Sequence, residues 1–357
     1  MPRPGRINLA VINSTERTCP RLPVVSGAAS ALHGRLIEVI PISETTGTMR
    51  MSTSLSRRTL LASALLSATA ACAGAASRNV VAAPMPERRS FELTGPGGRV
   101  ISISEWAGTS GKRGTILFSH GAMSAPWYYD RILQPLLASG YRVLAPLHVD
   151  SAQHPRTAEY KGLASWRCRI EDMRTLIAHL GDAPFIAMGH SYGGLIATVL
   201  GGAAGVIPEG LEGPLVPRLA TSVVAFSPPP TIPVMMTAEG YGALAVPALI
   251  QTGTIDLLPG MTPSDAEGWR AHLAAFDSAK PGGNRYGLVL EGVNHYFGGA
   301  ICDFSQPGPM QLDGLSHANA VAGLFLDAFA TGKPSPKALA RLDAGVTDAL
   351  PIRLMRR

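Results

Sequence analysis

The sequence predicts an α/β fold, a mostly parallel sheet of about eight strands with helices on both faces. Two observations carry this expectation. From about residue 91 to residue 331, short apolar runs alternate with amphipathic stretches of helical length. Repeated strand–helix–strand units build parallel sheets covered on both sides. Second, the apolar run 185–190 ends in Gly189-His190-Ser191-Tyr192-Gly193, and a helix-forming stretch from Leu195 to Leu200 follows at once. That is a strand, a tight turn and a helix with a serine at the apex.

The elements follow in order. Runs 91–93 and 100–106 flank Gly95-Pro96-Gly97-Gly98 and read as an antiparallel hairpin. Run 114–119 reads as a buried strand ending at His120-Gly121. Residues 127–139 form an amphipathic helix closed by Gly140, and 142–149 the next strand. Residues 165–180 form a helix with Ile170, Met173, Leu176, Ile177 and Leu180 on one face, stopped by Gly181. After the serine turn come strands at 221–226, 248–252 and 286–290. Helices are expected at 263–278 and near 317–330. The link from Ser227-Pro228-Pro229-Pro230 to the next strand is short and proline-rich, which leaves room for little or no lid.

In such sheets the reactive groups gather at the carboxyl ends of the strands. Ser191 sits at one such end, in a turn that needs Gly189 and Gly193 because strand and helix pass too close for side chains. A serine hydroxyl needs a base, and the base needs a carboxylate to hold its tautomer. The run 248–252 leads into Gly253-Thr254-Ile255-Asp256, and 286–290 leads into a loop carrying His295. Ser191, Asp256 and His295 therefore form the candidate catalytic set, in the order nucleophile, acid, base. Backbone amides of Ala122, with Met123 as second choice, and of Tyr192 are the candidate oxyanion donors. Met123, Trp127, Tyr128 and Tyr296 are candidate substrate-binding residues.

Other histidines and acids fit less well. His190 is aimed away from the Ser191 hydroxyl by its position, and His120 shapes its loop. His148 reads as packed or on a rim. His317 opens a helix, and Asp303 follows His295 in the wrong order. His272, Asp265 and Asp277 fall in a predicted helix and are expected to face solvent. No Cys/His spacing suits a metal, and no cofactor is expected.

The N-terminal quarter reads differently. Ser56-Arg57-Arg58 precedes a run free of charge from Thr59 to Ser77, with small residues near Ala71–Ala75. This is the plan of a secretory signal, and the paired arginines resemble a twin-arginine leader. Residues 49–82 are therefore expected to be a leader and linker for twin-arginine export machinery, leaving a periplasmic or secreted domain at 83–357. Residues 1–48 read as a disordered extension or as sequence upstream of a true start at Met49 or Met51. Residues 1–76 hold eight arginines and three glutamates, so they carry five of the six net positive charges. The remainder is nearly neutral and has no basic–aromatic patch, so no nucleic-acid partner is expected. Cys168 and Cys302 are left either paired or as two buried thiols.

Gly189-His190-Ser191-Tyr192-Gly193-Gly194, His120-Gly121, Asp256 and Asn294-His295-Tyr296-Phe297-Gly298-Gly299 together resemble the α/β-hydrolase superfamily over roughly residues 91–331. The branch is similar to esterases related to dienelactone hydrolases, platelet-activating-factor acetylhydrolases and polyester hydrolases. True dienelactone hydrolases use cysteine where this chain has Ser191, and dehalogenases and epoxide hydrolases use aspartate. The resemblance implies a serine hydrolase cleaving small-molecule or polymer-borne carboxylic esters through an acyl-enzyme. A peptidase or C–C hydrolase on the same residues is the alternative, and a non-catalytic binding protein a further one.

Overall fold

The computed structural model describes residues 85–110 and 112–357. The extension and leader expected at 1–82 lie outside the described residues. Nine strands form one sheet: β1 (Arg88–Thr94), β2 (Val100–Trp106), β3 (Thr115–Ser119), β4 (Arg142–Pro146), β5 (Phe185–His190), β6 (Val223–Phe226), β7 (Ala248–Gly253), β8 (Arg285–Leu290) and β9 (Ile352–Arg356). Their spatial order is β1-β2-β4-β3-β5-β6-β7-β8-β9. The stretch β4-β3-β5-β6-β7-β8 is parallel. The β1–β2 hairpin and β9 are antiparallel additions at the two edges. β9 exceeds the expected number of strands.

The parallel strands are apolar on both faces, as helix-covered strands must be. Ile116, Phe118, Ile186, Met188, Val224 and Phe226 pack on one face against α1 (Asp130–Ala138) and α6 (Leu312–Phe329). Leu117, Phe185, Ala187, Val223 and Ala225 face α2 (Leu163–Leu180) and α3 (Tyr192–Leu200). Burying each of the larger of these side chains contributes about 1.5–3 kcal/mol. The short α4 (Ala238–Gly242) lies in the link between β6 and β7, and α7 (Pro336–Asp343) precedes β9.

Two helices are shorter than expected. The 127–139 stretch starts as a 3₁₀ turn over Pro126–Tyr129 before α1. The 263–278 stretch is mostly loop and 3₁₀ turn over Gly268–Leu273, followed by the one-turn α5 (Ala274–Asp277). Both tighter turns bring a buried polar side chain to the site described next, Tyr129 and His272. Among the described residues no helix is long and apolar enough to cross a membrane.

Candidate active site

β5 ends at His190 and the chain turns through Ser191 with φ 55° and ψ −123°. That backbone conformation is strained for a residue with a side chain, at a cost of about 1–3 kcal/mol. It lifts the Ser191 side chain out of the sheet at the N-terminus of α3. A Cβ on Gly189 would lie 2.1 Å from the Gly193 carbonyl oxygen, and one on Gly193 1.9 Å from the Ser119 oxygen. Any larger residue at either position would push the turn away from β3. The Ser191 amide donates to the Phe226 carbonyl at 2.9 Å, tying the turn to β6.

β7 and β8 deliver the acid and the base side by side. Gly253 lets the loop after β7 lie against Val293, whose carbonyl oxygen would be 2.1 Å from a Cβ there. Asp256 is fully buried and His295 nearly so. His295 Nδ1 donates to Asp256 Oδ1 at 2.8 Å, and Thr252 Oγ1 donates to Oδ2 at 2.9 Å. Burial alone would raise the Asp256 carboxyl; the charge of His295, with the nearby His272 ring and the His295 hydrogen bond, holds it well below the usual carboxylate range. Asn294 Oδ1 accepts the amides of Tyr296 and Gly298 and so shapes the loop around His295.

His272 was expected in solvent and is instead fully buried behind Asp256. Its Nδ1 donates to the Pro228 carbonyl at 2.7 Å. Its Nε2 lies 3.1 Å from Asp256 Oδ1, an ion-pair distance. Burial alone would depress the imidazole; the Asp256 carboxylate reverses this and the net shift is upward. Asp256 is thus flanked by two imidazoles. Among the described residues, Asp256, His272 and His295 are the one trio of His, Cys, Asp or Glu side chains with ligand atoms within 4.8 Å of each other. Two imidazoles set against one shared carboxylate account for that grouping. Asp265 and Asp277 are exposed, as expected.

The loop after β3 carries the amide donors. Ala122 and Tyr192 both line the cleft that Ser191 opens into, and among the described residues neither amide meets a protein acceptor. Gly121 donates its amide to Tyr129 Oη at 2.9 Å, and Tyr129 lies 3.0 Å from His190 Nδ1. His190 Nε2 donates to the His295 carbonyl at 2.8 Å. Burial, then the charge of His295, lowers the His190 imidazole to about 3. A neutral ring with Nε2 protonated accepts the Tyr129 hydroxyl at Nδ1, so one hydrogen-bonded chain joins the amide loop to the base loop.

A buried ionic network underlies the same loop. Arg169 on α2 is fully buried. Its guanidinium holds Asp150 at 2.8 and 2.9 Å and donates to the carbonyls of His120 at 2.7 Å and Gly121 at 3.2 Å. The same group lies 4.3 Å from the centre of the Tyr192 ring. It therefore touches the supports of both candidate amide donors. Next to it, Ser119 Oγ lies 2.9 Å from His148 Nε2, and His148 Nδ1 2.7 Å from Asp172 Oδ2. This second Ser–His–Asp series is sealed in the core, with Ser119 1% and His148 and Asp172 0% exposed. Arg99 closes it by pairing with Asp172 and Glu171. It braces the loop and has no opening to solvent. His148 is packed, one of the two alternatives expected.

The expected substrate-binding residues divide. Met123, Tyr128 and Tyr296 line a cleft of about 580 Å³ together with Ala122. Trp127 does not line it; with Tyr128 it borders a separate groove, and Arg88 lies over its ring at 4.4 Å. Ala122 also lines a second cleft of about 330 Å³, together with Ser191, Tyr192, Leu163, Pro229, Ile232, Met235 and Met261. Leu163, Ile232, Met235 and Met261 escaped sequence reading, the last three because the loops carrying them have no periodicity. Cys168 and Cys302 are both free and buried.

A parallel sheet with a strained serine at the β5–α3 turn, and an acid and a histidine after β7 and β8, defines the α/β-hydrolase class. The chain belongs to the Alpha/beta hydrolase family, whose model matches residues 116–344. Among curated proteins none matches the chain. Among solved structures it is similar to Thermogutta terrifontis esterase 2, phosphorylated by paraoxon (17% identity, 68% of this chain and 95% of that one, TM-score 0.49). It is also similar to the thioesterase domain from the curacin biosynthetic pathway (16%, 68% and 100%, 0.44). A third is the esterase domain of a Rhodothermus marinus protein (13%, 68% and 99%, 0.44).

Proposed function

We propose that the protein is a serine hydrolase of carboxylic esters. The observation that carries this reading is the cleft at Ser191. It is lined by the strained serine and by Ala122 and Tyr192, whose amides meet no protein acceptor among the described residues. Among the described residues no charged side chain lines it, which suits a neutral ester better than the charged termini of small peptides.

The chemistry runs as follows. Ser191 Oγ attacks the ester carbonyl while His295 takes its proton through Nε2. Asp256 holds the opposite nitrogen and stabilises the imidazolium that forms. The tetrahedral oxyanion accepts hydrogen bonds from the amides of Ala122 and Tyr192, the latter at a helix N-terminus where the backbone dipole adds to the effect. His295 returns the proton to the alcohol oxygen as its bond to carbon breaks, leaving an acyl-enzyme. Water then attacks with His295 as base, and the acid and Ser191 are released.

The test is an ester panel, with peptide anilides and diketones alongside, on the full chain and on Ser191→Ala. Ester turnover that Ser191→Ala loses by about 10⁴-fold or more supports the reading; full activity in that variant refutes it. Preference for anilides or diketones would move the reading to the alternative classes. Kinship with the dienelactone-hydrolase-like, acetylhydrolase and polyester hydrolase branch is part of the same proposal. So is export through the leader at 49–82, for which N-terminal sequencing of exported protein is the check. A mature product retaining Arg57 and Arg58 would sink it.

A further inference from the structure

We propose that the substrate is an ester joining an aliphatic acyl chain to a ring-bearing alcohol, the two parts lying on opposite sides of Ala122. The inference rests on the ester-hydrolase reading above. Ala122 borders both clefts, so a carbonyl oxygen on its amide straddles the divide.

The direction of the ester follows from proton delivery. The leaving oxygen must take its proton from His295, so the alcohol lies on the His295 side. Tyr296 is that side. Its ring packs edge-on against His295 with centroids 5.0 Å apart, and it lines the 580 Å³ cleft. The acyl group stays on Ser191 after the alcohol leaves. It therefore occupies the 330 Å³ cleft, which Ser191 itself lines.

The walls differ in chemistry. The acyl side presents Leu163, Ile232, Met235 and Met261, flexible or branched aliphatic surface suited to an alkyl chain. The alcohol side presents Tyr128, Tyr296 and Phe304, with Tyr128 and Phe304 in edge-to-face contact at 5.2 Å. Such faces and edges select rings by offset and edge-on stacking. Asp303, also on this side, spends its oxygens on Ser305 and Gln306. It shapes the wall rather than calling for a cation.

The experiment uses the full chain and two ester series. One varies the acyl group from acetyl to decanoyl on a single alcohol. The other holds the acyl group and compares hexyl, benzyl and naphthylmethyl alcohols, whose similar acidity removes leaving-group reactivity as a cause. The wild type is expected to favour naphthylmethyl over hexyl by about five- to tenfold in kcat/KM. Met261 is 44% and Phe304 56% exposed, so both sites tolerate substitution. Met261→Trp should cut the decanoyl/acetyl ratio by ~tenfold and keep the naphthylmethyl/hexyl ratio. Phe304→Ala should do the converse, with Ile232→Trp as a second acyl-side variant. Ratios that move in the opposite series, or in neither, overturn the assignment of sides. If a fluorophosphonate labels Ser191 and esters turn over while the ratios stay flat, the division fails and the hydrolase reading stands. If there is neither labelling nor turnover of any ester, both fail.

Discussion

Arg169 grips Asp150 with two hydrogen bonds, Nε to Oδ1 at 2.8 Å and Nη2 to Oδ2 at 2.9 Å, while its remaining donors hold the carbonyls of the amide loop. Burial would raise the Asp150 carboxyl, but the guanidinium depresses it far below the usual range. Removing one member of a buried pair strands the other, at about 3–5 kcal/mol. Arg169→Met should therefore cost that much. The double variant Arg169→Met/Asp150→Asn should recover at least about 1 kcal/mol of it, as contacting residues are non-additive. Chemical denaturation of the four proteins measures the coupling, and strict additivity would deny it.

His272 and Asp256 make a pH prediction. The His272 imidazole is raised in the folded protein, first against burial and then by Asp256. A raised folded value means that the charged form favours folding. The contribution is complete below the unfolded value of about 6.5 and fades as pH rises through the folded value. The stability gap between wild type and His272→Gln should thus be widest near pH 6 and narrower at pH 9. Thermal unfolding across that range reads it directly; a constant or widening gap would mean that the ring is neutral.

Ser191 provides a test of strain. In a helix interior, glycine is roughly 1 kcal/mol worse than alanine. At φ 55° and ψ −123° the order should reverse. Ser191→Gly is expected to unfold at a higher temperature than Ser191→Ala, with hydrolysis lost in both. Equal or inverted melting temperatures would locate no strain at this turn.

The thiols give a fourth. Cys168 is pushed up to about 11 by burial and Cys302 is raised by the same cause. Thiolate is the reactive form. In a Cys19→Ser/Cys72→Ser background, a thiol reagent should modify neither Cys168 nor Cys302 in the folded protein and both in denaturant. Rapid labelling of the native state would contradict their burial.

Much of this site was legible in the sequence, because its parts sit at strand ends with diagnostic neighbours. Ser191 came from its glycines, Asp256 and His295 from runs ending in turn residues. His272 was missed for a physical reason. A 3₁₀ turn places side chains at a different period from an α-helix, and the helical reading put the ring outside. Arg169 and Asp172 were missed because ionic residues on a helix read as a solvated face, although α2 buries both. The aliphatic cleft wall left no pattern at all. β9 left little more: Ile352-Arg353-Leu354 makes one alternation before Met355 breaks it, too short to stand out beside the longer runs.

The contact between Gly193 and the end of β3, where a single added carbon would sit 1.9 Å from the Ser119 oxygen, has a consequence for motion. The serine turn and the amide loop cannot slide past each other without first parting β3 from β5, the middle of the sheet. The reacting geometry then has no low-energy breathing mode of its own. The hydrogen-bonded amides that hold it, those of Gly121 and Ser191, should exchange hydrogen only through the global opening of the domain. Heat would abolish hydrolysis and the cooperative fold at one temperature, and the cleft loops around Ile232 and Met261 would be free to vary without loosening the chemistry beneath them.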